Sequence, residues 1–521
     1  MTYDSDLQLI KCPKCNHDQN PSTARKCEIC GFQLHKSKPN FLLIGGVIAL
    51  LGLGGGAIAF RDQLPFLGGS SGTNGATGSA GSTGNAGSPL SVLGGLLGND
   101  QIQDHLSRGD RILFPELVNP AKEAGVAAFA AGDFATAATQ WESSLQTQQN
   151  DPEARIYLNN AQVGSNPSFT LAAVVPISET PNPSLEILRG VAQAQEEMVA
   201  AGVPVQVLIA DDGNDADLAV SIAQALVADS SVIAVIGHGT STPSVAAAPI
   251  YTAGQLPMIA PTSTSTELTQ LAKGDDGVNY IFRTIPNDQF TGTALARYAL
   301  GTMGKKNAIL FFNPNSSYSQ SLKDAFVSTF NLEGGSISQE VDLSQGNPTE
   351  ALATATGDLV VLLPNSSTFE PAVAVVKANQ QKLPILAGDA FYRIESLQQV
   401  GAELQGAILS VPWHSQASPN AEFVSTSTAL WGGLVNWRTA LAYDVGQVFR
   451  SAQASANLVP TGDASLRSTL AQTIAQSGFQ ATGATGGIQF TPSGDRNGGV
   501  VLLTVQPGST SGTGFDFVPM P

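Results

Sequence analysis

From Phe169 onward the chain repeats one pattern, a short apolar run followed by a helical stretch. The runs read "FTLAAVV", "PVQVLIA", "VIAVI" and "PMIA", and after a break "NAILFF", "DLVVLL", "LPILA" and "GAILSV". Between them, residues 185–200 and 217–227 carry helical periodicity, with Leu218, Ile222 and Leu226 on one face. A strand that is apolar along its whole length is covered on both faces, which calls for a parallel sheet between layers of helices. The two groups of runs, split near residues 283–288, predict two doubly wound α/β lobes. In such sheets ligands bind outside the carboxyl ends of the strands. Two loops at that end are rich in small and hydroxyl-bearing residues, "GHGTSTPS" at 237–244 and "PTSTST" at 261–266. The stretches "PISETPNPS", "NPNSSYS", "PNSST" and "GDAFY" fall at the same end.

Four segments of different character precede this part. Residues 1–40 hold every cysteine of the chain, Cys12, Cys15, Cys27 and Cys30, as two C-x2-C pairs eleven residues apart. That spacing offers four thiolates to one tetrahedral Zn2+, and Gly31 supplies a tight turn behind the second pair. Four cysteine ligands leave no open position, so the expected zinc is structural and supplies the folding free energy of a segment with almost no core. Two disulfides or free thiols are the alternative. The head resembles the zinc ribbons at the N-termini of many bacterial membrane proteins.

Residues 41–60, "FLLIGGVIALLGLGGGAIAF", carry no charge. At about 1.5 Å per residue they span a hydrocarbon core of about 30 Å, and Gly52 and Gly56 permit close helix packing. The stretch is too long and too far from Met1 for a cleaved signal peptide. Lys11, Lys14, Arg25, Lys26, Lys36 and Lys38 precede it, so the expected topology is single-pass, with the head cytoplasmic and the main domain periplasmic or extracellular. Residues 61–100 form a Gly/Ser-rich linker. Residues 101–165 read as helices, with Ala124, Gly125 and Ala128 packing against Phe134, Ala137 and Trp141; the spacing of Gly125, Ala137, Trp141 and Ser144 resembles a tetratricopeptide repeat, with a generic helical hairpin as the alternative. Such arrays need about three units, so this one is expected to dock on its neighbour or on a partner. The tripeptide in "SRGD" (107–110) reads as chance.

The formal net charge of −17 argues against nucleic acid or an anionic membrane surface as the main partner. A hydrolase needs a nucleophile with a base in reach. His238 stands three residues from Ser241, yet the loop shows no acid to orient its imidazole. The G-x-S-x-G match at 68–72 lies in the linker, and no G-x-x-x-x-G-K-[ST] or strand-following G-x-G-x-x-G occurs. Catalysis is therefore not expected.

The motifs "VIGHGTSTPSVAAAPIY", "LPMIAPTSTSTEL", "FRTIPND", "AYDV" and "GGIQFTPSGDR" together resemble the type I periplasmic solute-binding proteins of the leucine/isoleucine/valine-binding family, over about residues 169–510. The resemblance implies two lobes that close on a ligand, covering 166–521. Lobe 1 would take about 166–285 plus 413–490 and lobe 2 about 286–412, with the C-terminal segment crossing back. Crossings are expected near 283–288, 411–414 and 490–495. It further implies that Ser241 binds the ligand carboxylate, that Thr262 offers backbone atoms, and that Thr264 contacts the carboxylate or amine. Tyr318 would close over the ligand from the far lobe, and Asp389 would take the ammonium. Asn365 stands where the family commonly has an aromatic residue, and Asp389 is shorter than the usual glutamate. Physical chemistry points the same way, since hydroxyls and free amides at a helix N-terminus suit a carboxylate and an opposing carboxylate suits an ammonium. The null for Ser241 and Thr264 is helix capping.

Two functions follow as expectations. In the first, the domain captures an amino acid or similar small polar solute and delivers it to the membrane subunits of an ABC importer. In the second, it is a transmembrane receptor or assembly scaffold that signals through the helical segment and the zinc head.

Overall fold

A computed structural model describes residues 102–520, and before them the backbone of two short strands. These strands, β1 (Leu9–Ile10) and β2 (Asn20–Pro21), pair antiparallel within an N-terminal unit, Met1–Ser88. The zinc cysteines, the predicted membrane helix at 41–60 and the linker lie outside the described residues. Among the described residues no helix is long and apolar enough to cross a membrane.

The C-terminal unit opens with β3 (Leu106–Ser107) and three helices, α1 (Pro120–Ala130), α2 (Phe134–Thr147) and α3 (Pro152–Val163). Each helix starts where the sequence supplies a cap: Asn119, Asp133 and Asp151 accept from the amides of Lys122, Thr136 and Ala154. Trp141 is fully buried between Phe129 and Tyr157. Residue 125 must be glycine, because a Cβ there would stand 2.6 Å from the Trp141 indole nitrogen. Beneath them Lys122 is wholly buried between Asp151 at 2.6 Å and Glu153 at 2.7 Å.

The first lobe then winds through β4 (Phe169–Val175), α4 (Pro181–Ala200), β5 (Val205–Asp211), α5 (Ala216–Ala228), β6 (Val232–Ile236), α6 (Ser241–Ala253), β7 (Met258–Ala260), the short α7 (Leu268–Leu271) and β8 (Ile281–Arg283). Its strand order is β3-β5-β4-β6-β7-β8, parallel apart from β3. Every residue of β4 is buried, as its unbroken apolar run requires. The chain passes from β4 to β5 on one side and then to β6 on the other, so the order reverses at β4. That reversal opens a crevice at the carboxyl ends of β4 and β6.

The second lobe holds α8 (Asp288–Arg297), β9 (Asn307–Phe312), α9 (Ser317–Leu332), β10 (Ser336–Asp342), α10 (Pro348–Thr354), β11 (Leu359–Leu363), α11 (Phe369–Asn379), β12 (Ile385–Ala387), α12 (Ile394–Val400) and β13 (Ile408–Val411). The chain next returns to the first lobe with α13 (Ala421–Trp431), α14 (Trp437–Ser455), α15 (Ser465–Ile474) and the hairpin β14 (Ala481–Gly483) and β15 (Gly486–Ile488). Helix α14 lies along α4 so closely that a Cβ on Gly190 would overlap the Thr439 carbonyl. Finally β16 (Val501–Pro507) pairs antiparallel with β13 and β17 (Phe515–Pro519) antiparallel with β16, giving the order β10-β9-β11-β12-β13-β16-β17. Here the order reverses at β9, and a second crevice opens at the ends of β9 and β11.

The helical segment docks on the first lobe. β3 pairs antiparallel with the edge strand β5, and Asn160 of α3 exchanges two 2.8 Å hydrogen bonds with the Val207 backbone as a further strand residue would. Arg108, of the "SRGD" stretch, is held by Asp229 at 2.9 Å and Thr170 at 3.1 Å. Exposed edge amides are thereby covered. Two of the inter-lobe crossings are fastened to each other: Arg283 meets Asp495 at 2.7 Å, and the Arg283 amide donates to the Gly494 carbonyl at 3.1 Å.

Candidate functional site

Both crevices face one cleft between the lobes. From the first lobe its walls are Thr180 beyond β4, Asn214 beyond β5, Gly239 to Thr242 beyond β6, and Thr262 beyond β7. From the second they are Ser316 and Tyr318 beyond β9, Asn365 and Ser366 beyond β11, and Asp389 and Ala390 beyond β12. Pro183 of α4, with Trp437 and Arg438 at the start of α14, completes the lining. The lobes touch across it: the Ser317 amide donates to Thr242 Oγ1 at 3.2 Å and the Thr266 amide to Ser321 Oγ at 3.0 Å.

The first-lobe wall is built to donate. Thr240 is the N-cap of α6, but its side chain is turned to Asn214 Oδ1 at 2.5 Å and leaves the helix uncapped. The Ser241 and Thr242 amides therefore find no acceptor among the described residues, and Pro243 has no N–H to satisfy. The Ser241 hydroxyl oxygen accepts from the amides of Thr264 and Ser265 at 3.2 and 3.3 Å, which leaves its own proton to donate into the cleft. Free amides, a free hydroxyl proton and the positive end of α6 converge on one spot, the arrangement that stabilises an anion. Gly237 holds the loop close to the sheet: its φ is +141°, and a Cβ there would overlap the Val174 carbonyl.

The opposite wall is anionic. Tyr318 donates to Asp389 Oδ1 at 2.5 Å and accepts from the Ala390 amide at 3.3 Å. Asp389 is 6 % exposed, and burial pushes its carboxyl up, while the Tyr318 hydroxyl and the Arg438 charge act against that rise. A cation entering the cleft would relieve the same burial cost.

Ser241, Thr262, Tyr318, Asn365 and Asp389 thus line one cleft. Thr264 sits one layer behind: its amide serves Ser241, its carbonyl accepts from the Asp288 amide at 2.9 Å, and its buried hydroxyl makes no well-formed hydrogen bond among the described residues. Asn365 accepts from Asn313, Ser367 and Thr368, which fixes it as the cap of the turn before α11.

His238 needs a correction. The sequence showed no acid near it, but the fold brings Asp212, beyond β5, to 2.7 Å from its Nδ1. Tyr251 Oη stands 3.0 Å from Nε2, and all three side chains are fully buried. Both ring nitrogens are engaged, so neither is left to draw a proton from Ser241. Asp212 is 26 residues away, and only the neighbouring loops beyond β5 and β6 join the pair. Trp437 and Arg438 were also missed: Asn436 marks the helix start, accepting from the Arg438 amide at 2.9 Å, but nothing in "NWRTAL" tells that this helix reaches back to the first lobe.

A family model described as periplasmic binding protein matches residues 169–506. The chain belongs to the periplasmic binding protein family. Its two-lobed α/β architecture is shared with solved binding proteins. A leucine binding protein from Thermotoga maritima is 24% identical, with 67% of this chain and 97% of that chain covered and a TM-score of 0.58. A branched-chain amino acid transporter substrate binding protein from Streptococcus pneumoniae, solved with isoleucine, is 19% identical over 68% of this chain and 100% of that one, at a TM-score of 0.56. A solute binding protein of an ABC transporter from Rhodopseudomonas palustris, solved with 3,4-dihydroxybenzoic acid, is 17% identical over 68% and 97%, at a TM-score of 0.57. At these identities the likeness is one of fold. An amino acid binding protein of Pseudomonas aeruginosa is 29% identical over 150 residues, which are 28% of this chain and 38% of that relative's length.

Proposed function

We propose that this periplasmic binding protein works outside the cytoplasm, anchored by residues 41–60, and captures an amino acid or similar small polar solute for delivery to an ABC importer. The cleft carries the reading. Donors on the first lobe at Thr240, Ser241 and Thr242 face an acceptor pair on the second, Tyr318 and Asp389. A zwitterion laid between them places its carboxylate at the α6 N-terminus and its ammonium at Asp389, and so joins the lobes. Relatives solved with isoleucine and with an aromatic acid, and one known as an amino acid binding protein, support a small carboxylate as the cargo. The two C-x2-C pairs of the head would hold a structural Zn2+ through Cys12, Cys15, Cys27 and Cys30.

The test is a thermal-shift screen of the purified full chain against the common amino acids, their amides and small aromatic acids. A ligand at 100 times its Kd adds about 2.7 kcal/mol to the stability of the folded state. A clear upward shift with at least one carboxylate-bearing solute is expected. A flat response to the whole panel would defeat the proposal.

A further inference from the structure

The cleft offers one more charged group than a simple aliphatic amino acid would engage. Asp389 and Arg438 are the charged side chains among its lining residues. A zwitterion already satisfies Asp389 with its ammonium and the α6 N-terminus with its carboxylate. Arg438 is then left over. Its guanidinium lies on the Trp437 ring, 4.2 Å from the ring centre, and among the described residues its side chain makes no ion pair or hydrogen bond. Glu186 is already engaged by Arg189 at 2.6 Å and Thr439 at 2.6 Å. Burial and the neighbouring Arg393 oppose the Arg438 charge, and Asp389, Glu186 and Tyr318 favour it at longer range without touching it. A half-buried cation with five donors and no hydrogen-bonded or ion-paired acceptor among the described residues is a site for an anion.

The remaining walls agree. Thr180, Asn214, Asn365 and Ser366 present hydroxyls and amides, and the apolar side chains of the lining are Pro183, Ala390 and the Trp437 ring. A branched aliphatic side chain would desolvate these polar groups and return little apolar contact. Asn365, held by Asn313, Ser367 and Thr368, makes the cleft still more polar.

We infer that the cleft selects a dicarboxylic α-amino acid, with the second carboxylate held by the Arg438 guanidinium on its Trp437 shelf. This rests on the solute-capture function proposed above. The geometry assigns the two carboxylates to different lobe features: the α-carboxylate to the α6 N-terminus and the distal one to the start of α14. Arg438 also borders a neighbouring cavity lined by Glu179, Glu186 and Arg393, so the distal group lies on that side of the cleft.

The experiment is isothermal titration of the full chain, as wild type, Arg438→Gln and Arg438→Lys, with L-glutamate, L-aspartate, L-glutamine and L-leucine. Unliganded melting curves of all three establish that the variants are folded. Wild type should bind glutamate or aspartate more tightly than glutamine or leucine. Arg438→Gln should weaken the dicarboxylate by roughly 30-fold or more, with the Lys variant in between because it keeps the charge but loses the fork. Leucine bound as tightly as glutamate, or glutamate bound equally by Arg438→Gln, overturns the inference while leaving solute capture intact. If wild type binds none of the four, the inference is overturned, and the thermal-shift panel decides separately whether solute capture stands.

Discussion

The Tyr318 hydroxyl donates to Asp389 across 71 residues of sequence, at 2.5 Å, and the pair faces Ser241 from the other lobe. Neither residue can be assigned its role without the other. The phenol fixes the carboxylate, and burial raises its energy by more than Tyr318 and the Arg438 charge offset.

Removing this acceptor should therefore uncouple binding from folding. Asp389→Asn should weaken a cognate amino acid about 100-fold or more, and Tyr318→Phe about 10-fold, by titration calorimetry. Both variants should melt within about 1–2 kcal/mol of wild type when empty. Unchanged affinity in Asp389→Asn would remove Asp389 from the ammonium site.

Gly388 precedes Asp389, and a Cβ on it would stand 2.5 Å from the Tyr318 hydroxyl and 2.7 Å from Leu322. Gly388→Ala should mimic Tyr318→Phe in affinity and cost a further 1–3 kcal/mol, roughly, from overpacking. Urea unfolding and titration of the same preparation separate the two effects.

Asp288 opens α8 at the crossing between the lobes and is 1 % exposed, with neither carboxyl oxygen well hydrogen-bonded. Burial pushes its carboxyl up to about 7, and Asp389 adds to the rise, while Ser321, Thr264 and Arg283 oppose it. The unfolded chain releases this proton near pH 4, so the folded state alone keeps it as the pH climbs to about 7. The destabilisation grows through that window and is complete above it. Asp288→Asn should be more stable than wild type at pH 8, by up to about 4 kcal/mol, and lose that advantage toward pH 4.5. Chemical denaturation at both pH values checks the sign.

His238 is held between Asp212 and Tyr251. Tyr251→Phe removes one partner from a buried nitrogen and should cost about 1–3 kcal/mol of stability. Ligand affinity should barely change, because the imidazole is a strut beneath the Ser241 loop. A large affinity loss at unchanged stability would argue for a direct role.

Lys122 neutralises two buried carboxylates in the helical segment. Lys122→Met would leave Asp151 and Glu153 buried and unpaired, at a cost of about 3–5 kcal/mol. Hydrogen exchange should rise first in residues 113–163, where Glu153 also accepts from Leu113 and Tyr157.

The alternation of apolar runs and helical stretches suffices, by itself, for two doubly wound lobes, because a strand buried on both faces is apolar along nearly its whole length. Hydroxyl clusters at strand ends also locate a cleft, since loops at a switch point converge whatever their sequence. Five of the six candidate ligand contacts lie in that cleft for this local reason. Chain order alone could not place the sixth: Thr264 faces the crossing because Asp288, on the far lobe, takes its carbonyl. Nor could it place Arg438, which joins the cleft only when α14 folds back along α4, or Asp212, which reaches His238 only when β5 and β6 flank β4. Local sequence sets which surfaces are apolar and where helices start. The partner of each buried charge depends on packing between residues far apart in the chain, and only the tertiary structure decides it.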